Sequence, residues 1–454
     1  MTAKELRDYC KQPIIHGLAN DKNAVERLAK EIVIRRLILF DDTTPYIRQP
    51  LYYQVIKEDE ALKLLPNFLT LDDRLALSSS LFSECYKRIR STSELQIDVT
   101  ERFYEGEKVI NLLNGVYSVE SHRMDENRDK YCFNYVLNFN YIPHSKLSQA
   151  PVFEKFVRTS LGMEQYDCLL QTIGYCLSSL QKGRKAFFLI GEGSTGKSTL
   201  LDLIESVVPK NLVAHEPLKD MATEQAKSHY RGRRLNISRD SSAEKIGHCE
   251  SFKSLVSNEW TTSRELYQCS QDFVPTLKFL FGSNHPITFK HLDDAILDRL
   301  VLLLFHKKIK NEDRDLHLKE HLLAEKDVIF SLCIDSLQEL IADEYTFHMS
   351  DEAESYIANQ RLMLHSTEQF LMDRMDIRSD GVISSSDLNR LYQVWCQDNL
   401  VTPLDKSTFL EKVILFHPDI KRAKIGPSTK RVWGYKGIAI KSYCNQEVQT
   451  DENS

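Results

Sequence analysis

A glycine-rich loop between an apolar strand and a helix is the part of the sequence that most directly predicts chemistry. Residues 186–198 read A-F-F-L-I-G-E-G-S-T-G-K-S and contain the pattern G-x-x-x-x-G-K-S. Its glycines let successive backbone N–H groups turn toward phosphate oxygens, and the N-terminus of the following helix favours the same anion. Lys197 would contact the β- and γ-phosphates, while the Ser198 hydroxyl would bind Mg²⁺. The loop therefore predicts binding of ATP with Mg²⁺ by residues Gly191, Glu192, Gly193, Ser194, Thr195, Gly196, Lys197, Ser198 and Thr199.

Three residues further along the chain have the types that ATP hydrolysis requires. A carboxylate must orient water and support Mg²⁺, a polar group must contact the γ-phosphate, and a cation must stabilise the developing charge. Asp240 ends the strand-like segment R-R-L-N-I-S-R-D, whose polar interruptions also fit a salt-bridged surface acid. Asn284 follows the apolar strand L-K-F-L-F, where asparagine is also an ordinary turn residue. Arg299 precedes the strand L-V-L-L-L-F, and its alternative is an ion pair with Asp298 or Asp294. The predicted catalytic residues are Lys197, Asp240, Asn284 and Arg299, and the predicted metal ligands are Ser198 and Asp240.

The composition is that of an ordinary globular protein with several domains. The chain has 454 residues, of which 42% are hydrophobic and 27% charged, and this length predicts about two to four domains. The longest apolar runs have the length of strands and the N-terminus has no apolar signal segment, so neither a membrane span nor secretion is predicted. Ten cysteines form no C-x-x-C pair, which favours reduced thiols in a cytoplasmic compartment over structural zinc. The net charge of −6 argues against a coat of nucleic acid and leaves a local basic channel possible.

The order of the local patterns suggests several regions. Residues 1 to about 95 show helical periodicity through apolar positions such as Leu37 and Leu39. The segment Val109–Val119 reads as a β-hairpin turning at Asn114-Gly115. Residues 376–387 resemble a calcium loop superficially, but Arg378 occupies a ligand position, so a turn joining two helices is the better interpretation.

Five segments follow one another in an order that is more specific than the glycine-rich loop alone. They are G-E-G-S-T-G-K-S-T, R-L-N-I-S-R-D, F-K-S-L-V-S-N-E-W-T-T-S-R-E-L-Y, F-G-S-N-H-P and D-D-A-I-L-D-R-L-V-L-L-L-F. This set resembles motifs A, B, B′ and C and the arginine-finger segment of superfamily-3 helicases, AAA+ proteins of the phage and plasmid primase–helicase type, including poxvirus-like replicative helicases. N-G-V-Y-S-V resembles the region that precedes the helicase domain in that family. L-Y-Q-V-W-C-Q-D-N, S-T-F-L-E-K-V and R-V-W-G-Y-K-G-I-A-I-K resemble its C-terminal winged-helix module.

The sequence departs from the family pattern at three places. Asp240 stands where the family usually has Glu, Asn258-Glu259 where it commonly has Gly-Asp, and Asp298 where a second Arg often precedes the finger.

The resemblance implies an α/β fold with an AAA+ P-loop domain, a helical N-terminal region and a winged-helix module. The implied regions are a helical N-terminal part of unknown role (1–100), a family-specific region with a helical collar (101–182), the ATPase core (183–310), a helical connector (311–364), the DNA-binding module (365–445) and a disordered tail (446–454). No primase pattern is present, so a primase would be a separate chain.

The resemblance also implies an ATP-driven DNA helicase that works as a hexameric ring, moves 3′ to 5′ on single-stranded DNA and replicates a mobile element in the cytoplasm of its host. A hairpin between motifs B and C would hold single-stranded DNA in the ring channel, and the C-terminal module would bind duplex or origin DNA, although solvated surface charge is the alternative for each residue. An initiator that melts an origin without processive unwinding, and a P-loop ATPase unrelated to DNA, are the other possibilities. The predicted DNA contacts are Lys253, Arg264, Tyr267, Lys278, Lys421, Arg422, Lys424, Lys430 and Arg431.

Overall fold

The chain divides into two units in the computed structural model. Unit 1 comprises Met1–Thr288 and Arg299–Met349, and unit 2 comprises Phe289–Asp298 and Ser350–Ser454. The structure describes residues 15–97, 109–125, 131–241, 246–264, 270–308, 315–428 and 431–441, with the backbone alone described at positions 240, 241 and 271. Among these residues, no helix combines the length and the apolar character needed to cross a membrane.

The structure contains both helices and strands along most of its length. The helices are α1 Ala24–Arg35, α2 Glu58–Leu64, α3 Leu71–Ala76, α4 Ser79–Arg90, α5 Pro151–Ser160, α6 Tyr166–Leu177, α7 Lys197–Val207, α8 Glu224–Tyr230, α9 Cys249–Val256, α10 Asp294–Leu297, α11 Leu318–Ala324, α12 Lys326–Asp335, α13 Leu337–Ala342, α14 Asp351–Arg374, α15 Ser385–Asp398 and α16 Lys406–Phe416. The strands are β1 Ile38–Asp41, β2 Thr44–Arg48, β3 Tyr53–Val55, β4 Val109–Leu112, β5 Gly115–Ser118, β6 Arg123–Asp125, β7 Ala186–Gly191, β8 Val213–Ala214, β9 Leu235–Ser241, β10 Thr261–Ser263, β11 Gln271–Phe273, β12 Lys278–Ser283, β13 Leu300–Phe305, β14 Met375–Ser384, β15 Lys421–Ile425 and β16 Val432–Ile440.

The N-terminal part of unit 1 has its own core and is not purely helical. Helices α1 to α4 pack with an antiparallel sheet of order β1-β2-β3. The prediction of a helical region is therefore wrong in part, since α1 ends at Arg35, Leu37 lies after it and Leu39 lies in β1. The run from Leu37 to Phe40 is at most 3% exposed, and such a short, fully buried apolar run pairs as a strand.

A buried carboxylate fixes the start of this N-terminal part. Asp73 is 3% exposed, and its oxygens accept hydrogen bonds from the backbone N–H groups of Gly17 at 2.9 Å, Leu18 at 2.6 Å and Ala19 at 2.7 Å. The Thr70 hydroxyl donates to it at 2.8 Å. Asp73 therefore ties residues 17–19 to the beginning of α3.

The middle of unit 1 is a parallel sheet covered by helices. Its five strands follow the order β13-β7-β12-β9-β8, and all the pairings are parallel. Every residue of β12 is buried, as expected of a parallel strand with both faces covered. Because β13 lies on one side of β7 and the remaining strands on the other, the chain reverses its direction of winding at β7, where α/β sheets bind ligands. The hairpin turning at Asn114-Gly115 is confirmed, since β4 and β5 pair antiparallel up to Leu112 and Gly115.

Unit 2 is built from three long helices and an antiparallel sheet of order β14-β16-β15. Helix α14 runs without interruption across position 364, where the sequence predicts a domain boundary. The calcium-like segment 376–387 lies mainly in β14 and enters α15, so the predicted turn between helices is wrong. Aromatic packing holds this unit together, with the rings of Tyr392 and Phe409 stacked at 3.9 Å.

Candidate functional site

The P-loop connects the carboxyl end of β7 to the N-terminus of α7. Ser194 has φ of 63° and Gly196 has φ of 103°, both in the left-handed region. A Cβ atom on Gly196 would lie 2.9 Å from Cε2 of Phe156, and one on Gly191 would lie 2.2 Å from the carbonyl oxygen of Phe305. The loop therefore has no room for a side chain at Gly191 or Gly196, and glycines at such positions let a backbone turn close to phosphate oxygens.

Lys197 is the first residue of α7 and is held inside this loop. It is 6% exposed, and its Nζ donates to the carbonyl oxygens of Gly191 at 2.6 Å and Glu192 at 2.7 Å. The Thr195 hydroxyl also donates to the Glu192 carbonyl, at 2.9 Å, whereas Ser198 is exposed at the start of the helix. A cation at the centre of the loop, an exposed hydroxyl beside it and a helix N-terminus fit a magnesium-bound triphosphate.

Asn284 lies at the same edge of the sheet as the P-loop. Ser283, the last residue of β12, pairs with Ile190 of β7. The Ser283 hydroxyl donates to the His285 carbonyl at 2.7 Å and accepts from the His285 N–H at 3.2 Å, which fixes the turn. Asn284 is exposed at the tip of this turn, so the structure brings it to the edge where the triphosphate would lie.

Strand β9 carries Asp240 toward this edge. Ser241 pairs with Ser283, whereas the Asp240 side chain lies outside the described residues, so its roles toward water and Mg²⁺ stay predictions. The polar interruption at Asn236 has a structural reason. Asn236 is fully buried, accepts from the Glu216 N–H at 2.8 Å and donates to the Glu216 carbonyl at 3.0 Å. Because its amide is paired, Asn236 is compatible with a buried strand.

An ion-pair network that the sequence analysis missed joins β9 to the P-loop helix. Arg239 lies 2.7 Å from Asp202 and also contacts Glu205, both on α7, and Lys319 of α11 lies 3.0 Å from Asp202. Burial alone would raise the pKa of Asp202, but the hydrogen bonds from Lys319 and Arg239 lower it. The partners are 34 or more residues apart in the chain, so no local pattern indicates the network.

Arg299 lies at the opposite edge of the sheet from the P-loop. It precedes β13, whose first residue Leu300 pairs with Ala186, the first residue of β7. Its Nε and Nη2 donate to the Ser257 hydroxyl at 3.0 and 2.8 Å. Because β7 has six residues and each advances about 3.3 Å, Arg299 is about 20 Å along the strand from the P-loop of its own chain. This separation exceeds the reach of an arginine side chain.

The two acids considered as partners of Arg299 have ion pairs within unit 2. Arg361 lies 2.7 Å from Asp298 and 3.3 Å from Asp294, and His365 lies 2.7 Å from Asp294. Arg361 and His365 are one helical turn apart on α14. They were not anticipated, because neither lies near a motif in the sequence.

A β-hairpin is present between motifs B and C. Strands β10 and β11 pair antiparallel from Thr261 opposite Phe273. Arg264 is exposed directly after β10, and Tyr267 lies outside the described residues. Asn258, before the hairpin, has φ of 57°, and its side-chain amide donates to the Pro275 carbonyl. Asparagine tolerates this left-handed conformation better than other residues with side chains, which explains its place where the family has Gly.

Two of the cations predicted on this hairpin lie elsewhere. Lys253 is on α9, and its Nζ lies 2.8 Å from a Glu250 carboxylate oxygen. Lys278 begins β12 and is 3% exposed, with its Nζ 4.9 Å from the ring centroid of Tyr175. Their assignment to the hairpin is wrong because the helix and the strand extend into the region that the sequence analysis treated as one projecting element.

The cations predicted in unit 2 lie beside an exposed tryptophan. Lys421, Arg422 and Lys424 are exposed on β15. The guanidinium carbon of Arg422 and the Nζ of Lys424 lie 4.8 and 5.6 Å from the ring centroid of Trp433 on β16. Trp433 is 51% exposed. The two strands therefore present a cationic and aromatic surface; Arg431 is exposed beside it, and Lys430 lies outside the described residues.

Helix α16 precedes the basic strand β15 in the chain. The carboxylate of Asp405 accepts from the backbone N–H groups of Ser407 and Thr408 at 3.1 Å and caps the helix. These residues' hydroxyl and N–H groups lower the pKa of Asp405 well below its ordinary value. Near the other end of the helix, Leu415 is 75% exposed. In the part of the chain that the structure describes, no group of three or more His, Cys, Asp or Glu residues is arranged to hold a metal ion.

Comparisons with known proteins give a fold and a family of unknown function. Residues 189–299 match the model described as "Family of unknown function (DUF5906)", which covers less than half of the chain. Two apo structures of the C-terminal region of NrS-1 are similar, each at 10% identity. One covers 91% of this chain and 99% of its own with a TM-score of 0.50, and the other covers 92% and 100% with a TM-score of 0.51. No curated protein matches the sequence. The chain therefore shares the mixed α/β fold of the C-terminal region of NrS-1.

Proposed function

We propose that this chain is an ATP-dependent DNA helicase that assembles as a ring, moves on single-stranded DNA and serves replication of a phage, plasmid or other mobile element. The observation that carries the proposal is the register of the parallel sheet. It places the P-loop, Asn284 and the end of β9 at one edge, and Arg299 at the other. These are the positions needed for a nucleotide pocket on one face of a subunit and a finger on its opposite face.

The pocket would hold ATP through the backbone of the P-loop and through Lys197. Mg²⁺ would be held by Ser198 and supported by Asp240, and it supplies charge neutralisation for the phosphates when bound. Asn284, exposed at the tip of its turn, is placed to contact the γ-phosphate. The network around Arg239 and Asp202 keeps α7 and β9 in a fixed relation, so Lys197 and Asp240 would be oriented together.

A ring of subunits follows from the position of Arg299. Because its own P-loop is about 20 Å away along β7, Arg299 would act on a nucleotide across a subunit boundary. A repeated head-to-tail contact of this kind forms a ring when the rotation between successive subunits closes, and the proposal is that it closes here. A hexamer and 3′-to-5′ movement are further expectations from the family resemblance, as are single-stranded DNA in the channel and the hairpin β10–β11 as its contact. The winged-helix assignment of unit 2 is part of the same proposal.

A second candidate function is an initiator that binds and melts an origin without processive unwinding. The surface formed by Arg422, Lys424 and Trp433 favours it, because cations on a β-hairpin are suited to the phosphates of duplex DNA. Both candidates predict ATP hydrolysis, and they differ in the length of duplex that is opened.

ATP hydrolysis and strand displacement on a forked duplex test the proposal. The full chain should hydrolyse ATP faster with single-stranded DNA present and should displace a long strand. Lys197→Ala should lower kcat at least about a hundredfold, as expected from losing a group that stabilises transition-state charge. Asp240→Asn should bind ATP and hydrolyse it slowly, while Lys219→Ala, an exposed lysine in the same unit, should behave as wild type.

The outcomes separate the candidates. Hydrolysis with melting limited to a short origin duplex would favour the initiator. Hydrolysis that DNA leaves unchanged would favour a P-loop ATPase unrelated to DNA, and undiminished activity of Lys197→Ala would refute the nucleotide site itself.

A further inference from the structure

Unit 1 contains a cleft of about 1100 Å³ that is distinct from the P-loop. One wall is the β2–β3 hairpin of the N-terminal part, and the other is formed by the turn after α8, by β11 and by the segments flanking the hairpin β10–β11. Neither Lys197 nor Ser198 lines it. Its volume is slightly above the range of about 300–1,000 Å³ usual for small-molecule pockets, so it has room for a segment of a polymer.

Hydrogen bonds fix both walls of the cleft. The Asn111 side chain, fully buried, donates to the Leu51 carbonyl at 2.7 Å, and the Tyr53 N–H donates to the Phe133 carbonyl at 2.6 Å. On the opposite side, the Gln181 side chain donates to the Thr276 carbonyl at 2.8 Å. The cleft is therefore formed by the fold itself and does not depend on a bound molecule for its shape.

The lining has an excess of positive charge in a chain whose net charge is −6. Its cations are Lys210, Arg231 and Arg233, and its carboxylates are Asp41 and Asp272. The two arginines flank Gly232 in one turn, where φ of 68° reverses the chain. The Asp272 carboxylate accepts from the Thr262 hydroxyl at 2.6 Å, which occupies part of its hydrogen-bonding capacity. An anionic ligand would meet three cations within one concave surface.

Aromatic side chains accompany these cations. Trp260 is 73% exposed at the rim, and Tyr52 is partly exposed along the cleft. Burial raises the pKa of Tyr46, which lines the same cleft, with Asp41 acting in the same direction and Arg231 lowering it. A tryptophan this exposed gains little from the core, and an exposed indole in a cleft that also contains arginines is typical of a surface on which a base stacks.

We infer that this cleft binds single-stranded nucleic acid, with a base stacked on Trp260 and phosphates contacted by Arg231, Arg233 and Lys210. Duplex DNA is disfavoured, because its bases are stacked on each other and cannot lie against an indole inside a cleft. The inference does not rest on the proposed helicase function, since it needs neither ATP nor a ring. It also gives the N-terminal part of the chain a role, because the β2–β3 hairpin forms one wall.

Binding of a fluorescently labelled oligothymidylate to the full chain, without ATP and at several salt concentrations, tests this inference. Trp260→Ala should weaken binding about 5- to 150-fold, the equivalent of the roughly 1–3 kcal/mol that stacking of one base contributes. Trp260→Phe keeps an aromatic face and should restore most of the affinity. The double variant Arg231→Ala, Arg233→Ala should reduce the slope of log affinity against log salt by about 1.4, since each lost contact to a single strand removes about 0.7.

The control removes charge elsewhere in the same unit. Lys219→Ala lies outside the cleft and should leave the affinity for the oligothymidylate unchanged. Circular dichroism and retained binding of an ATP analogue establish that the cleft variants are folded. Unchanged affinity in Trp260→Ala, equal losses in Trp260→Ala and Trp260→Phe, or equally tight binding of duplex DNA at the cleft would each overturn the inference. Loss of ATP hydrolysis in Lys197→Ala would leave it standing.

Discussion

Replacing Arg299 with Ala is the most informative perturbation of the proposed ring. The guanidinium is held by two hydrogen bonds to the Ser257 hydroxyl, at 3.0 and 2.8 Å, and the Arg299 backbone lies about 20 Å along the sheet from the P-loop of the same chain. Since it cannot touch its own nucleotide, Arg299→Ala should leave ATP affinity nearly unchanged. If the side chain is a finger acting in trans, kcat should fall by about 10³–10⁵.

The mixture of two inactive variants gives a quantitative expectation. A Lys197→Ala subunit retains its finger, and an Arg299→Ala subunit retains its nucleotide pocket. In equal mixtures with free subunit exchange, a boundary is complete when an Arg299→Ala pocket meets a Lys197→Ala finger. Random assembly of a head-to-tail ring gives this arrangement at about one boundary in four, so up to about a quarter of wild-type activity should return.

The assay is steady-state ATP hydrolysis, with exchange verified by affinity capture of differently tagged subunits. Ser257→Ala provides a graded control, because it loosens the finger without removing it and should lower kcat by about tenfold, the value of roughly one to two hydrogen bonds. Wild-type hydrolysis by Arg299→Ala, or no recovery in mixtures whose subunits demonstrably exchange, would refute action across a boundary. Arg299 would then have a structural role within its own subunit.

Two other predictions concern the N-terminal part and unit 2. Burial alone would raise the pKa of Asp73, but hydrogen bonds from Thr70 and three backbone N–H groups lower it. The stability that the ionised Asp73 contributes is therefore fully present above the ordinary pKa of about 3.9, and it is lost as the pH falls through the lower pKa of the folded state. Asp73→Asn should lower the local stability of residues 15–35 by about 1.5–3 kcal/mol at neutral pH and by less in acid. The measurement is the ratio of the hydrogen-exchange rates of variant and wild type in these residues, and a ratio that does not change with pH contradicts the prediction. Replacing Lys421, Arg422 and Lys424 with Ala should flatten the salt dependence of duplex binding by about 0.9 per lost contact; unchanged binding would make the surface a protein-docking site.

The fold of the P-loop region could be predicted because its signals are local and continuous. An apolar strand, a glycine-rich turn and an amphipathic helix adjoin each other, and the helix predicted after the glycine-rich loop corresponds to α7. Strand β13 has the predicted bounds, Leu300–Phe305. Periodicity fixes such elements without knowledge of their neighbours. The same reasoning assigned Leu39 to a helix, because a four-residue strand is too short to show its own period.

The backbone conformation of Asn258 could not be predicted from the sequence alone. Asn in place of Gly is ambiguous in a sequence, since both residues occur in turns. In the structure its φ of 57° identifies a left-handed position, and its amide anchors the segment after the hairpin through the Pro275 carbonyl. The substitution therefore keeps the backbone geometry and adds a hydrogen bond.

The unpredicted part of the site consists of contacts between distant residues. Ser257 meets Arg299 across 42 positions, and Arg361 meets Asp298 across 63. Only the tertiary fold decides such pairs. Lys278 is a different case, because a single lysine inside the apolar run L-K-F-L-F is itself a signal of burial, and the sequence analysis treated it as a surface cation.

The contacts of Lys197 bear on which nucleotides the loop distinguishes. The ammonium group donates hydrogen bonds to the carbonyl oxygens of Gly191 and Glu192. The phosphate oxygens of a nucleotide would therefore have to replace these carbonyl oxygens as its acceptors. Hydrogen bonds to a charged group contribute about 1.5–3 kcal/mol each, and a ligand must offer oxygens at least as good before the lysine changes partners. Under the proposed function, a monophosphate would have no β- or γ-oxygens to offer and would leave the lysine where it is. The resting contact would then select for the length of the phosphate chain, through the backbone and independently of the base.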